Sequence, residues 1–391
     1  APNYPGVATS EGWLYSHGGV ASGAGVLYRL YVGPSAPVAL YTEAFKGHVF
    51  LARTSSFPSR LFYSAVGEAR SWDPKAFFDV NPDDGDWITG TFVFNERLYV
   101  SKTDLFYEIA GSEFDPRKPQ LIDIVPLKGV KGTVSNRSIV VTDGGVFYFA
   151  EDGFRIFDGA KSEIISDPIY TTWSGYAASR FKYTAGVWHR TRQEVWWSMT
   201  STGSTHDTIL CFNYKHNKWS VFTGMAAEAI ATVETANDID QLLFGTGSAS
   251  DGKLYIADSG NSDNAAAIAS TYQTGWFALE ATMEASGRYV TMFLKRAANY
   301  NLTFTPYRNF DTATAIVDAN NTSQAQNIAL LSGTYPDTYF PDASDQLCTI
   351  QLSADGHHFS FRLNASTTAA QWECYGGFVR GHLVRPAGVF I

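Results

Sequence analysis

Two histidines near the middle of the chain are the residues whose types and spacing come closest to a metal site. His206 and His216 flank one predicted strand, and Asp207 is adjacent to the first of them. Imidazole and carboxylate groups are common metal ligands, so the pattern permits a metal site. We favour the alternative, that these are polar residues of loops at the ends of a strand. His357 and His358 follow an Asp-Gly pair, which indicates a solvated turn.

Four aspartates, Asp79, Asp83, Asp84 and Asp86, form a second group whose carboxylates could hold Ca²⁺. Calcium loops of the EF-hand type alternate acidic positions in the order D-x-D-x-D-G. The order here, NPDDGDW over residues 81–87, does not follow that alternation. The sequence therefore favours a solvated loop over a calcium site.

Motifs that would indicate an enzyme are absent from the sequence. It contains no G-x-S-x-G elbow, no phosphate-binding loop and no H-E-x-x-H. It also lacks the S-x-D-x-G-x-T-W repeat of sialidases. Cys211, Cys348 and Cys374 are far apart and form no C-x-x-C pair. We expect no catalytic, cofactor-binding or metal residue, no cofactor and no enzyme activity.

Composition and charge exclude further classes of protein. The 391 residues carry 29 Lys and Arg against 38 Asp and Glu, a net charge of -9, with no basic cluster. This balance argues against a surface that grips nucleic acid through its phosphates. No apolar run is long enough for a membrane span. Aromatic residues make up 15% of the chain, and they favour strands over helices.

A repeated pattern of short apolar strands organises the first two thirds of the chain. One aromatic-rich strand recurs about every 48 residues, which is typical of β-propeller blades. Its copies are Leu98–Ser101, Val146–Phe149, Val195–Ser198 and Leu242–Gly245, and an earlier, less regular unit holds Val49–Ala52 and Leu61–Ser64. A predicted strand precedes and follows each copy, because propeller blades are antiparallel sheets that bury both faces against their neighbours. Two stacked β-sandwiches are the alternative.

The repeat ends near residue 260, and a different organisation follows. We predict N-terminal strands over residues 1–45 that add or complete a blade, a propeller over 46–260, and a β-sandwich-like domain over 261–391. The predicted fold is thus all-β, with about five or six blades. Residues 261–270 indicate a linker, and residues 311–326 a long exposed loop. Two short Ala-rich stretches, 224–229 and 264–270, are the only helix-like segments.

Aromatic pairs at equivalent places in the repeat could bind sugar or could form the core. They are Phe62-Tyr63, Phe147-Tyr148 and Trp196-Trp197. Equivalent positions in successive blades are packing positions, so we favour the core.

Three segments resemble tail proteins of tailed bacteriophages. They are Arg60–Pro74 (RLFYSAVGEARSWDP), Leu98–Ile109 (LYVSKTDLFYEI) and Lys131–Ala160 (KGTVSNRSIVVTDGGVFYFAEDGFRIFDGA). Residues 253–273 also resemble the segment that connects the propeller of these proteins to a β-sandwich. By architecture the chain is most similar to nozzle, or packaged-DNA-stabilisation, proteins of short-tailed phages, and next to minor tail proteins of long-tailed phages.

The resemblance implies a structural virion protein made in the host cytoplasm. It implies several copies, often six, in a ring below the portal and adaptor, which form part of the DNA exit channel and support fibres or spikes. Genomic DNA would pass without sequence-specific binding, and an acidic wall would repel it. The alternative is a carbohydrate-binding or carbohydrate-active propeller acting on cell-surface glycan. A kelch-like interaction module has weaker support, because the doublet Gly144-Gly145 does not recur in the other units.

Overall fold

The computed structural model describes most of the chain in two compact units, Ala1–Asp258 and Ser259–Ile391. The described residues are 7–8, 14–18, 26–30, 36–111, 114–116, 121–234, 240–247, 252–257, 259–260, 262–263, 266–278, 285–295, 300–313, 315–316, 326–330, 345–367 and 374–383. The predicted boundary between residues 260 and 261 lies two residues from the division between the units. No helix in the described ranges is long and apolar enough to span a membrane.

The first unit is a series of antiparallel sheets, each built from consecutive strands. A three-stranded sheet comes first, with strands β1 (Val7–Ala8), β2 (Leu14–Gly18) and β3 (Val26–Leu30). Four four-stranded sheets follow. The first has β4 (Ala39–Phe45), β5 (His48–Thr54), β6 (Arg60–Tyr63) and β7 (Phe77–Asp79), and the second has β8 (Gly90–Phe94), β9 (Arg97–Ser101), β10 (Phe106–Gly111) and β11 (Ile122–Leu127). The third has β12 (Val140–Thr142), β13 (Gly145–Ala150), β14 (Gly153–Phe157) and β15 (Ser162–Ile164), and the fourth has β16 (Ala185–His189), β17 (Glu194–Met199), β18 (Thr208–Asn213) and β19 (Lys218–Thr223). The last sheet has β20 (Ala227–Glu234), β21 (Asp240–Thr246) and β22 (Leu254–Ile256).

Tight turns keep each sheet in register. Asn95 and Glu96 connect β8 to β9 with φ of 47° and 59°, the left-handed conformation that two-residue hairpin turns require. Asn is one of the few side chains that adopts it at low cost. The pairing on both sides is continuous, from Phe94 opposite Arg97 to Gly90 opposite Ser101.

From the first four-stranded sheet to the last sheet, successive sheets pack face to face, which is the arrangement of β-propeller blades. Each of these four interfaces has its own buried cluster. Leu61 of the first four-stranded sheet shares one with Val100 of the second, Phe106 of the second shares one with Tyr148 of the third, and Phe154 of the third lies 4.5 Å, centroid to centroid, from Trp197 of the fourth. Trp196 of the fourth shares a cluster with Phe244 of the last. The predicted repeat is confirmed, since each of its recurrent strands is the second strand of a sheet.

Most residues of the predicted aromatic pairs are core residues. Phe147, Tyr148 and Trp197 are fully buried, Trp196 is 3% exposed and Tyr63 is 2% exposed, whereas Phe62 is half-buried. Because Phe147 faces one neighbouring sheet and Tyr148 the other, a single aromatic pair serves two interfaces. The interpretation as packing residues is therefore confirmed for two of the three pairs and for Tyr63 of the remaining one.

The second unit is a sandwich of two antiparallel sheets. The larger sheet has the order β23-β24-β29-β26-β27, and the smaller has the order β28-β25-β30. The strands are β23 (Ser262–Asp263), β24 (Ala266–Gln273), β25 (Ala285–Lys295), β26 (Tyr300–Arg308), β27 (Gln326–Leu330), β28 (Asp345–Gly356), β29 (Phe359–Thr367) and β30 (Cys374–Leu383). One buried cluster contains Leu294 of the smaller sheet and Phe304 of the larger, so the core lies between the sheets.

Three local expectations differ from the structure. The helix-like stretch at 224–229 ends in strand β20, and the described part of 264–270 belongs to β24. The predicted linker over 261–270 therefore also contains strand, because Ala-rich segments pair once a neighbouring edge, here β29, is available. Most of the predicted loop over 311–326 lies outside the described residues.

Candidate functional site

The connections at one end of the blades hydrogen-bond to one another and form a continuous surface. We call residues 80–89, 102–105, 128–139, 165–184, 200–207 and 224–226, together with the first two residues of β20, Ala227 and Glu228, the loop face. Ser135 donates its hydroxyl to the Thr184 carbonyl oxygen at 2.8 Å, and Thr133 donates its N–H to the Ser101 hydroxyl at 2.8 Å. These loops precede the first strand of a sheet or join its second and third strands. An antiparallel meander places both kinds of connection at the same end.

The acidic loop between β7 and β8 is organised by a buried lysine. The side chain of Lys102 is 1% exposed, and its Nζ donates to both Asp84 carboxylate oxygens at 2.7 and 2.8 Å. It also donates to the carbonyl oxygens of Asn81 and Asp86, at 2.7 and 3.3 Å. A lysine ammonium thus lies where a loop-bound cation would lie. This agrees with the sequence argument against a calcium site.

Asp79 belongs to a different interaction. Its carboxylate accepts two hydrogen bonds from the Arg60 guanidinium across β6 and β7, at 2.7 and 2.9 Å. The four aspartates therefore do not converge on one point. No group of three potential metal ligands occurs among the residues the structure describes.

The two central histidines are not brought together. His206 precedes β18 and is buried, whereas His216 follows β18 and is exposed. They lie at opposite ends of the strand, so the permitted metal site with Asp207 does not form. Asp207 instead fixes its own loop by accepting hydrogen bonds from the Ser201 N–H, at 2.7 Å, and the Ser201 hydroxyl. Those hydrogen bonds outweigh burial and lower the pKa of Asp207.

His206 nevertheless lies in the most polar part of the loop face. Its Nδ1 is 3.1 Å from Ser198 Oγ and 3.2 Å from the Ala227 carbonyl oxygen, and Ser198 itself donates to that carbonyl at 2.6 Å. A carbonyl only accepts, so Nδ1 carries the hydrogen and Nε2 of the neutral ring carries the lone pair. Nε2 is buried and has no hydrogen-bond partner within the described residues.

Burial lowers the pKa of His206, and the nearby cations Arg137 and Arg180 act in the same direction. Glu228 and the Ala227 carbonyl oppose the shift without reversing it. The ring is therefore neutral at physiological pH. Ser198 is fully buried and donates to backbone, so the Ser198–His206 contact does not form an exposed nucleophile.

Glu228 and Arg137 form the accessible part of this cluster. The His206 backbone N–H donates to Glu228 Oε1 at 2.8 Å, and Arg137 donates from a terminal nitrogen to the Glu228 carbonyl oxygen at 2.8 Å. Gly247 leaves room for the Glu228 side chain, since a Cβ there would lie 2.1 Å from Glu228 Cγ. A carboxylate and a guanidinium are thus held by backbone contacts, Glu228 half-buried and Arg137 exposed.

Aromatic side chains lie on the connection that carries Arg180. The Arg180 guanidinium carbon lies 4.2 Å from the ring centre of Tyr183, which is 40% exposed. Arg180 Nε is buried and unpartnered among the described residues. Tyr170, on the same connection, is 57% exposed. None of these residues was predicted as a site residue from sequence. The only signal was the unusual length of the connection between β15 and β16.

Comparison with known proteins gives no family. No family model matches the chain, and no curated protein matches it. Among solved structures, the extracellular domain of a putative hybrid two-component system from B. thetaiotaomicron is similar at TM-score 0.38 and 11% identity, over 66% of this chain and 32% of that one. An exo-beta-1,3-galactanase from Phanerochaete chrysosporium is similar at TM-score 0.31 and 8% identity, over 88% and 99%. A glycoside hydrolase family 43 arabinoxylan arabinofuranohydrolase from Bacillus subtilis gives 0.27 and 10%, over 88% and 94%.

These similarities correct one expectation. The sequence predicts no enzyme activity, but the solved structures similar to the chain include glycoside hydrolases, so that prediction is withdrawn. TM-scores of this size carry no argument for a particular activity. Any activity of this chain must be argued from its own loop face.

Proposed function

We propose that the chain binds and acts on a cell-surface glycan through the loop face. The observation that carries the proposal is the group formed by Glu228, Arg137 and Arg180 beside exposed tyrosines. Sugar rings pack their apolar faces on aromatic side chains, and charged groups hydrogen-bond to hydroxyls more strongly than neutral groups do. The loop face offers both kinds of contact.

The two arginines indicate the class of sugar. Planar guanidinium groups suit bidentate recognition of carboxylates. Arg137 is exposed and uses one terminal nitrogen on a backbone carbonyl, whereas the Nε of the half-buried Arg180 is enclosed, so Arg180 contributes positive charge rather than that donor. The proposed ligand is therefore a glycan that contains acidic sugars. Glu228 is the group placed to accept hydrogen bonds from sugar hydroxyls or to take part in proton transfer.

A glycan array that contains acidic and neutral oligosaccharides tests the proposal, with release of reducing ends measured on every glycan retained. We expect retention of acidic glycans and at least a tenfold loss of affinity in Arg137→Gln and Glu228→Gln. Arg97→Gln and Glu163→Gln are matched controls, because both residues lie in ion pairs on other parts of the blades. Absence of retention, or equal losses in controls and loop-face variants, would refute the proposal.

A component of a phage tail is the second candidate, and exposed apolar side chains favour it. Val38 and Leu40, at the start of the first four-stranded sheet, are 91% and 67% exposed, and Leu254 and Ile256, in the last sheet, are 68% and 51% exposed. Apolar surface of this kind is typical of subunits that bury it in an assembly. The proposed partners are other copies of the chain in a ring, an adaptor, and fibres or spikes, with DNA passing through.

Quantitative mass spectrometry of purified particles, scaled to the portal protein, tests this second candidate. A fixed copy number near half that of the portal supports a six-fold ring in the virion. Absence of the chain from particles excludes it.

A further inference from the structure

The C-terminal sandwich contains a cavity of about 730 Å³ between its two sheets. Its floor is formed by core residues of both sheets, including Val290 and Met292 of β25 and Phe361 and Leu363 of β29. Its rim includes Tyr272 of β24 and Cys374 of β30. Cavities of this size are in the range of small-molecule binding sites in proteins.

The chemistry of the lining decides what it can hold. The described lining residues include no charged side chain. Thr274, one of their few hydroxyl groups, already accepts a hydrogen bond from the Phe361 N–H at 3.0 Å. An apolar lining of this kind favours apolar molecules over polar ones, because a polar group there loses hydrogen bonds to water. A sugar would lose its hydrogen bonds to water there without replacement, which excludes sugars as the occupant.

One cation lies beside the rim. The guanidinium carbon of Arg380 is 5.0 Å from the ring centre of Phe378, a residue that lines the cavity. Phe378 is 39% exposed, and Arg380 is exposed. An apolar interior with a cation at its edge is complementary to a molecule that has an apolar chain and an anionic end. We propose that this cavity binds the acyl chain of a fatty acid or anionic lipid, with the charged end at Arg380.

Two glycines of β30 form part of the lining. Gly376 has a φ of 142° that few other residues adopt. A Cβ at Gly377 would lie 2.6 Å from the Thr291 carbonyl oxygen, so glycine there allows the close approach of β30 to β25. The local sequence Cys374-Tyr375-Gly376-Gly377-Phe378 thus combines a bare backbone with an aromatic side chain at the rim.

Isothermal titration of the full chain with dodecanoate and with dodecanol tests this site. We expect one saturable site per chain, and binding at least tenfold weaker in Leu363→Trp and Cys374→Trp, which fill the floor and the rim. The rim variant keeps the test decisive if the floor variant does not fold. Arg380→Gln should weaken dodecanoate several-fold and leave dodecanol unchanged, whereas Arg70→Gln, an exposed arginine of the other unit, should change neither.

Three results would overturn the proposal. They are no saturable binding of either probe to the unaltered chain, binding that survives both filling variants, or equal effects of Arg380→Gln on dodecanoate and dodecanol. Because glycan retention depends on residues of the other unit, failure here and failure of the glycan proposal are measured separately.

Discussion

Replacement of Lys102 by methionine should destabilise the first unit by about 3 kcal/mol. Methionine keeps the length of the side chain and removes the ammonium, which leaves the Asp84 carboxylate without its cation. Removing one partner of a buried ion pair costs about 3–5 kcal/mol. The lower end applies because the Asp84 side chain is 23% exposed, so water recovers part of the loss.

The matched control is Lys131→Met on the same loop face. The Lys131 side chain is 30% exposed, and its partners Asp104 and Glu151 are 77% and 56% exposed. Surface pairs of this kind contribute about 0–1 kcal/mol. Urea unfolding followed by tryptophan fluorescence at pH 7 compares the two variants. A Lys102→Met effect within 1 kcal/mol of the Lys131→Met effect would refute the reasoning.

The dependence of the free energy of unfolding on acidic pH gives an independent check of the interaction between Lys102 and Asp84. Burial raises the pKa of Asp84, but hydrogen bonds from Lys102, Asp86 and Asn81 outweigh it, and the net shift is downward. A carboxyl group with a lowered folded-state pKa stabilises the fold above its unfolded pKa, and this contribution is lost as pH falls through the folded pKa. Lys102→Met removes much of the cause, so the gap between the two proteins should narrow below about pH 4. A gap independent of pH would point to a packing defect instead.

Three further predictions concern the blades. Gly132→Ala should prevent folding, because its Cβ would lie 1.6 Å from the Lys102 carbonyl oxygen. Gly203→Ala should cost only about 1–2 kcal/mol, because Gly203 has a φ of 80° but a Cβ there would meet no atom within 4 Å. Circular dichroism and the yield of folded protein distinguish the two variants. Trp197→Phe should cost about 1 kcal/mol through the lost 2.9 Å hydrogen bond to the Ser138 carbonyl, and Trp197→Ala about 3–5 kcal/mol, both measured by urea unfolding. Burial raises the pKa of Tyr148 to about 12, so a titration followed by ultraviolet absorbance should show its phenol ionising well above the ordinary pKa. The contribution of this phenol to the free energy of unfolding is complete below its unfolded pKa and should be lost as pH rises toward 12. In Tyr148→Phe the free energy of unfolding should fall less over that pH range.

The blades could be predicted from the sequence because they repeat one physical requirement. Each blade must bury two faces, so Phe147-Tyr148 and Trp196-Trp197 recur at the same place in the period. The left-handed conformation at Asn95, in the turn between β8 and β9, can also be expected from the sequence, because Asn adopts it more readily than most residues do. The Ala-rich stretch that belongs to β24 resembles a helix in sequence because its pairing partner, β29, is about 90 residues away in the chain. The stretch at 224–229 leads into β20, which pairs with the next strand, β21, so distance in the chain does not explain that prediction.

The loop-face cluster could not be predicted in the same way. Arg137, Arg180 and His206 come from three different connections, Glu228 comes from the start of β20, and the four residues share no local pattern. Only packing of the third, fourth and last sheets brings them within electrostatic range of His206. The sequence permits a metal site of His206, His216 and Asp207 but favours polar loop residues, and strand β18 separates the two histidines.

Charge on the loop face is divided between structural and available groups, and this division separates the acidic loop from the proposed glycan site. Lys102 is enclosed, and its ammonium contacts four acceptor oxygens, so its charge is used within the aspartate-rich loop. Arg137 makes one hydrogen bond, to a backbone carbonyl, among the described residues, and its guanidinium remains exposed. A net acidic segment is therefore the poorer candidate for binding, and a single arginine beside Glu228 the better one. The reason is that binding depends on hydrogen-bonding capacity left unsatisfied by the fold rather than on the number of charges in a segment.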